Sequence, residues 1–240
     1  MHLYSFLKLT KLWYFIMFGL LFDNEVLEII MRTLRMTLTS TFIAFCIGVP
    51  LGLLLEKLRF PGKKIVVAVN RTFMATPPVV AGLVVLFMLR REGPFGHYGL
   101  LFSLEAMIIA QVLLITPIIC GMVHAAATKN GTQIRAFAFT MGANRLQTQI
   151  LLIRELSNEI FFAAVTGFGR AMSEVGAIMM VGGNIRFHTR VMTTMIALDA
   201  RRGFFEEAVM LGVVLMVIAF IIQMAAYFLT KRGEKPNENF

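Results

Sequence analysis

Apolar residues run almost without interruption through 36–55, 72–89, 106–123 and 208–230, and none of these runs contains a charged side chain. Each is close to the ~20 residues a helix needs to cross the hydrocarbon core. A fifth run, 160–185, is broken only by Arg170 and Glu174. The pattern predicts an all-α integral membrane protein with five transmembrane helices. A further run at 12–22, between Lys11 and Asp23, is too short to span. With Trp13 and Tyr14 at headgroup level it predicts an interfacial helix, and with no small-residue cleavage site after it the segment is expected to stay in the mature chain. The organisation that follows is an N-terminal interfacial segment 1–35, a membrane domain 36–230 with one long hydrophilic loop at 124–159, and a tail 231–240.

Composition supports this class. Of 240 residues, 58% are hydrophobic and 15% charged, with mean hydropathy +0.75, above the roughly 45–50% apolar share of soluble domains. The net charge of +9 is scattered over every loop without a basic stripe, which speaks against a nucleic acid partner and for charges flanking spans. The clusters at 57–64 and Lys231-Arg232 favour an outer N-terminus and an inner C-terminus, so the locale expected is the cytoplasmic membrane, with lipid as a partner. Cys46 and Cys120 fall inside predicted spans as small hydrophobes. No zinc spacing or disulfide framework is present, and His2, His97, His124 and His188 have no acid or nucleophile at motif spacing. No cofactor is expected.

Arg170 and Glu174 carry the chemistry. An ionised side chain at the centre of a membrane helix costs roughly 2.5 to 3.5 kcal/mol, so it faces a bundle interior or a wet pathway. Their i, i+4 spacing puts both on one helix face. Two readings stand side by side: a translocation pathway, or an internal ion pair that ties helices together. Ala163, Gly167 and Ala171, and on another face Gly169, Ser173 and Ala177, suit close approach of neighbouring helices. Pro50, Pro77-Pro78 and Pro117 punctuate other spans.

In the loop 124–159, Ile134, Phe137, Ala138 and Met141 follow i, i+3, i+4, i+7 spacing and predict a short helix with an apolar stripe. Gly142 is placed to end it in a left-handed conformation, and Asn144 with Gln147 forms a capping box for the next helix. Such a stripe can rest on lipid or dock a partner.

The stretch IRAFAFTMGANRLQ, residues 134–147, resembles the EAA loop of permease subunits of bacterial ABC importers, in which a glycine follows a short helix that couples to the ATPase. Ala138, Gly142 and the placement before the last two spans carry the match; Ala136 stands in place of the usual glutamate, and Arg154-Glu155 where Leu-Pro often occurs. Residues 167–198, GFGRAMSEVGAIMMVGGNIRFHTRVMTTMIAL, are similar to tungstate permeases and somewhat less so to molybdate permeases. The resemblance implies a type I importer permease moving an oxyanion, tungstate first and molybdate or sulfate as alternatives. It implies two ATP-binding subunits, an extracellular substrate-binding protein and a second copy of the chain as partners. No Walker A pattern is present, so ATP hydrolysis is expected on a separate subunit. Ile134, Phe137, Ala138, Met141 and Gly142 are expected to couple to the ATPase. Arg170, Ser173, Glu174, Gly183 and Asn184 are expected along the pathway, with Arg186 and Arg190 at its outer, anion-attracting mouth. A self-contained secondary anion transporter is the alternative of a different class.

Overall fold

A computed structural model describes residues 24–231, and the described part is helical, with nine α-helices. The interfacial helix expected at 12–22 lies outside the described residues. α1 (Asn24–Lys57) and α4 (Leu104–Thr140) are the long elements. Between them come α2 (Lys63–Met74) and α3 (Pro78–Leu89); after α4 come α5 (Arg145–Glu155), α6 (Ser157–Met172), α7 (Gly176–Gly182), α8 (Met192–Arg202) and α9 (Phe205–Lys231).

Helices α1, α4 and α9 are each long and apolar enough to cross a membrane, and α2 with α3 forms one bent pair, turned by 99°. The fifth apolar run departs from expectation. It is divided between α6 and α7 with a break at Ser173–Val175, and neither half has the length of a span. The prolines act differently from one another. α1 continues through Pro50 and α4 through Pro117, whereas Pro77-Pro78 opens a new helix, because proline fits the first turn, where its missing N–H has no intrahelical partner to lose.

α1 and α4 run side by side in the same direction. Ser40, Ala44, Gly48 and Gly52, spaced by four, are all buried on the α4 side. A Cβ on Gly52 would sit 2.7 Å from the Cys120 carbonyl oxygen, so only glycine permits this approach. α3 meets α7 as closely, with a Cβ on Gly82 falling 2.7 Å from the Ala177 Cα. Where lipid removes the hydrophobic drive between helices, such small-residue contacts let dispersion hold them together. Two core clusters result. One joins Met36, Val85, Met107, Leu114, Ile178 and Val181, and the other Ala44, Ile115, Ile119, Leu152, Leu156 and Ala163. A third, of Val26, Ile29, Ile30, Met192 and Leu211, ties α8 and α9 to the start of α1.

Candidate functional site: a broken helix between a glycine turn and an arginine clamp

Residues 134–141 are not the separate short helix that the pattern predicted. α4 carries on for 37 residues, about 55 Å at 1.5 Å per residue, so one rod passes from the bundle core to the loop. Its polar residues between His124 and Asn130 keep helical geometry because none of them is a strong breaker. The rod ends in a Schellman turn: the Ala143 N–H donates to the Ala138 carbonyl and the Gly142 N–H to that of Phe139, both at 3.0 Å. Gly142 takes φ 73° with nothing within 4 Å of a hypothetical Cβ, as the sequence predicts. The capping box is also present, with Gln147 N–H donating to Asn144 Oδ1 and Asn144 N–H to Gln147 Oε1, each at 2.9 Å.

At this end Ala138 is buried and Ile134 packs on the inner core, while Phe137 and Met141 are 62% and 72% exposed. Phe139, Leu146 and Ile150 add to the exposed apolar surface. Arg135 holds the rod to α1 by a two-pronged ion pair with Glu56, one arm at 2.7 Å.

Arg170 and Glu174 pair at 3.2 Å, yet not on one helix face. α6 ends at Met172, and Glu174 lies in the break. Its Oε1 accepts the Ala177 N–H at 3.1 Å, capping α7, while Oε2 faces Arg170. Glu174 is 3% exposed and Arg170 34%. Ser173 is exposed and donates to the Arg170 carbonyl at 3.1 Å. The break is held by Gln111, a buried amide of α4: its Nε2 donates to the Ala171 carbonyl at 2.9 Å, and its Oε1 accepts from Ser40 Oγ at 2.6 Å.

On the far side of α7, Gly183 (φ 67°) and Asn184 (φ 51°) turn the chain. Thr189, fully buried, donates to the Gly182 carbonyl and accepts the Ile185 N–H at 2.9 Å. Arg186 grips Glu25 of α1 in bidentate fashion, at 2.9 and 2.6 Å. Arg190 reaches Glu25 at 3.7 Å and donates to Asn184 Oδ1 at 3.3 Å, and its side chain is only 13% exposed, a drier place than an open mouth implies. Arg32 donates to the carbonyls of Arg190 and Phe187, both at 3.0 Å. The loop is thus clamped to the start of α1.

Sequence reasoning passed over Gln111, Glu25, Arg32 and the Glu56–Arg135 pair. Gln111 left a signal, as a lone amide inside an apolar run; the pairs left none, since their partners stand far apart in the chain. Among the described residues no three His, Cys, Asp or Glu side chains gather where they can hold a metal ion.

Residues 48–232 match the family described as binding-protein-dependent transport system inner membrane component. The chain is 43% identical over 208 residues to the tungstate uptake system permease protein TupB of Peptoclostridium acidaminophilum, covering 87% of this chain and 91% of the relative. It is 35% identical to a probable anion ABC transporter permease protein of Haloferax volcanii, covering 86% and 90%. In fold it is similar to a chain of the inward-facing MetNI methionine ABC transporter, with TM-score 0.73 at 22% identity over 89% of this chain and 98% of that one. A chain of a bacterial alginate importer gives TM-score 0.72 at 19% identity, covering 97% and 96%. The helical bundle, the glycine turn after its longest helix and these likenesses agree: the chain belongs to the inner membrane components of binding-protein-dependent transport systems, the permease subunits of ABC importers.

Proposed function

We propose that this permease moves tungstate across the cytoplasmic membrane, as a homodimer served by two separate ATPase subunits and an extracellular substrate-binding protein. The observation that carries the cargo is the 43% identity to a tungstate permease over nearly the whole of both chains. In this reading each subunit spans five times, with α2–α3 and α6–α7 each counted as one broken span. Broken spans suit a transporter, because irregular backbone at membrane depth is tolerated where it is packed in protein or lines a water-filled cavity.

Phe137, Met141 and the neighbouring Phe139 enter a groove of the ATPase, and Ile134 and Ala138 seat the stripe on the bundle. Closure of the ATPases on ATP displaces the Gly142 turn. α4, held as one rod, carries that displacement to Gln111 and hence to the break at Ser173–Val175. Arg170, Ser173 and Glu174 line the pathway there, with Gly183 and Asn184 farther out, Arg186 at its exposed outer mouth and Arg190, tied to Glu25 and Asn184, set back behind it. Arginine suits a tetrahedral oxyanion because its planar fork donates paired hydrogen bonds. Glu174 offsets its charge, so the anion is released as readily as it binds.

The test is uptake into proteoliposomes holding the permease with its ATPase and binding protein. ATP-dependent accumulation of tungstate, with sulfate excluded, is the expected result. Accumulation driven by an ion gradient without ATP would point to the secondary transporter instead.

A further inference from the structure

We infer that α2 is a seat for an anionic phospholipid of the phosphatidylglycerol type. Two cavities flank this helix and share Val67 and Arg71. One, of about 950 Å³, is basic: Arg59, Lys63, Lys64 and Arg71 line it, and no carboxylate does. The other, of about 490 Å³, is lined largely by apolar groups, among them Leu55, Val67, Met74, Gly121 and Met122, with Arg71 and Lys129 also present. A ligand that satisfies both has a compact negative head and an apolar tail.

The helix itself is built for that neighbour. No residue of α2 is buried, and Ile65, Val66, Val69 and Phe73 are all exposed. Between Glu56 and Glu92 the chain has no acidic residue. Among the described residues Arg59, Lys64 and Arg71 form no ion pair. Lys63 is different, because its Nζ donates to the Glu56 carbonyl at 2.7 Å and holds the turn after α1. Leaving like charges close together without counter-ions disfavours the fold, and a phosphodiester supplies the missing charge. Apolar side chains interleaved with basic ones suit α2 as the interfacial end of the broken α2–α3 span, where tails and headgroups meet. With the C-terminus inside, as the clusters at 57–64 and Lys231-Arg232 favour, this seat lies in the inner leaflet.

Full-length protein purified in neutral detergent is to be unfolded thermally while phosphatidylglycerol, or phosphatidylcholine with the same acyl chains, is titrated in. Phosphatidylglycerol alone is expected to raise the melting temperature. Each basic residue near an anionic lipid surface is worth roughly fivefold in binding, so the triple variant Arg59→Gln, Lys64→Gln, Arg71→Gln raises the half-saturating lipid on the order of 100-fold. The pair Arg201→Gln, Arg202→Gln, on exposed residues of α8, should leave the titration unchanged. If the triple variant is less stable without lipid, Lys64→Gln alone is read for its roughly fivefold shift. Equal stabilisation by phosphatidylcholine, equal loss in the α8 variant, or replacement of the lipid effect by inorganic phosphate would overturn the proposal. None of these readouts involves transport, so such a failure leaves the import reading standing.

Discussion

Glu174 faces Arg170 with one carboxylate oxygen, at 3.2 Å, while its other oxygen caps the helix that begins two residues later. The same side chain therefore neutralises a cation within the bundle and fixes the direction of α7. The two roles separate by substitution, because glutamine keeps an acceptor for the Ala177 N–H and loses the charge.

Arg170→Ala leaves a nearly buried carboxylate with its cap but without its cation. Breaking a buried pair from one side is more damaging than removing both partners, so uptake should fall at least tenfold in this variant. The double variant Arg170→Met, Glu174→Gln keeps the cap and discards both charges. Under the pathway reading it assembles normally and still fails to accumulate tungstate in proteoliposomes. Normal transport by the double variant would make the pair purely structural.

Gly142→Val should uncouple the ATPase while leaving the bundle folded. Beyond its chain neighbours, nothing lies within 4 Å of a Cβ at this position, so the penalty is chiefly conformational: a left-handed backbone costs an ordinary residue about 1–2 kcal/mol and a β-branched one more. Gly142→Asn is the control, since asparagine visits this region more readily. Co-purification with the ATPase should be lost for valine and kept for asparagine. Retention in both would mean the turn is not what the partner reads.

Gln111→Leu removes the donor to the Ala171 carbonyl and the acceptor of Ser40 Oγ in one step. The Ala171 carbonyl keeps the Glu174 N–H, and the single Ser40 hydroxyl proton turns to the Thr37 carbonyl, so the loss is about 1–3 kcal/mol. For a chain of this size each kcal/mol lowers the melting temperature by roughly 2–4 °C. Uptake should fall further than this stability loss explains, because the amide joins α4 to the broken helix. Gln111→Leu with reduced stability but normal uptake would remove the amide from the coupling route.

What was legible in the sequence was local. The Schellman turn at Gly142 and the capping box at Asn144 depend on residues within a few positions, and both stand where the pattern put them. The break after Met172 was not legible, because apolar, small residues continue across it without proline or a turn pair, and the carboxylate that caps α7 looked like the second half of an i, i+4 pair. The length of α4 was hidden for the opposite reason: polar side chains at 124–130 mimic a loop, although they are compatible with helix. Gln111 with Ser40, and Glu25 with Arg186, are long-range meetings set by α1 packing beside α4 and by the loop folding back over α1. No spacing announces them.

Asp199 gives a pH prediction. It lies on α8, outside the long apolar helices, is buried, and its Oδ2 has no hydrogen-bond partner among the described residues. Burial pushes its carboxyl above the ordinary carboxylate value; Arg202 and Arg190 oppose that shift, and Glu207 adds to it. With the folded value raised, the unfolded chain ionises first as pH rises, so stability falls as pH climbs from the ordinary carboxylate range through the raised value. Acidification through that window therefore stabilises the fold, and the destabilising contribution is fully present above it. Asp199→Asn removes the group that must lose its hydration as an ion, so at neutral pH its melting temperature should exceed that of the native chain. The difference should shrink as pH is lowered toward the carboxylate range. Melting curves in detergent across that range decide it, and a constant gap between the two proteins at every pH would show that the carboxyl titrates alike in the folded and unfolded chain.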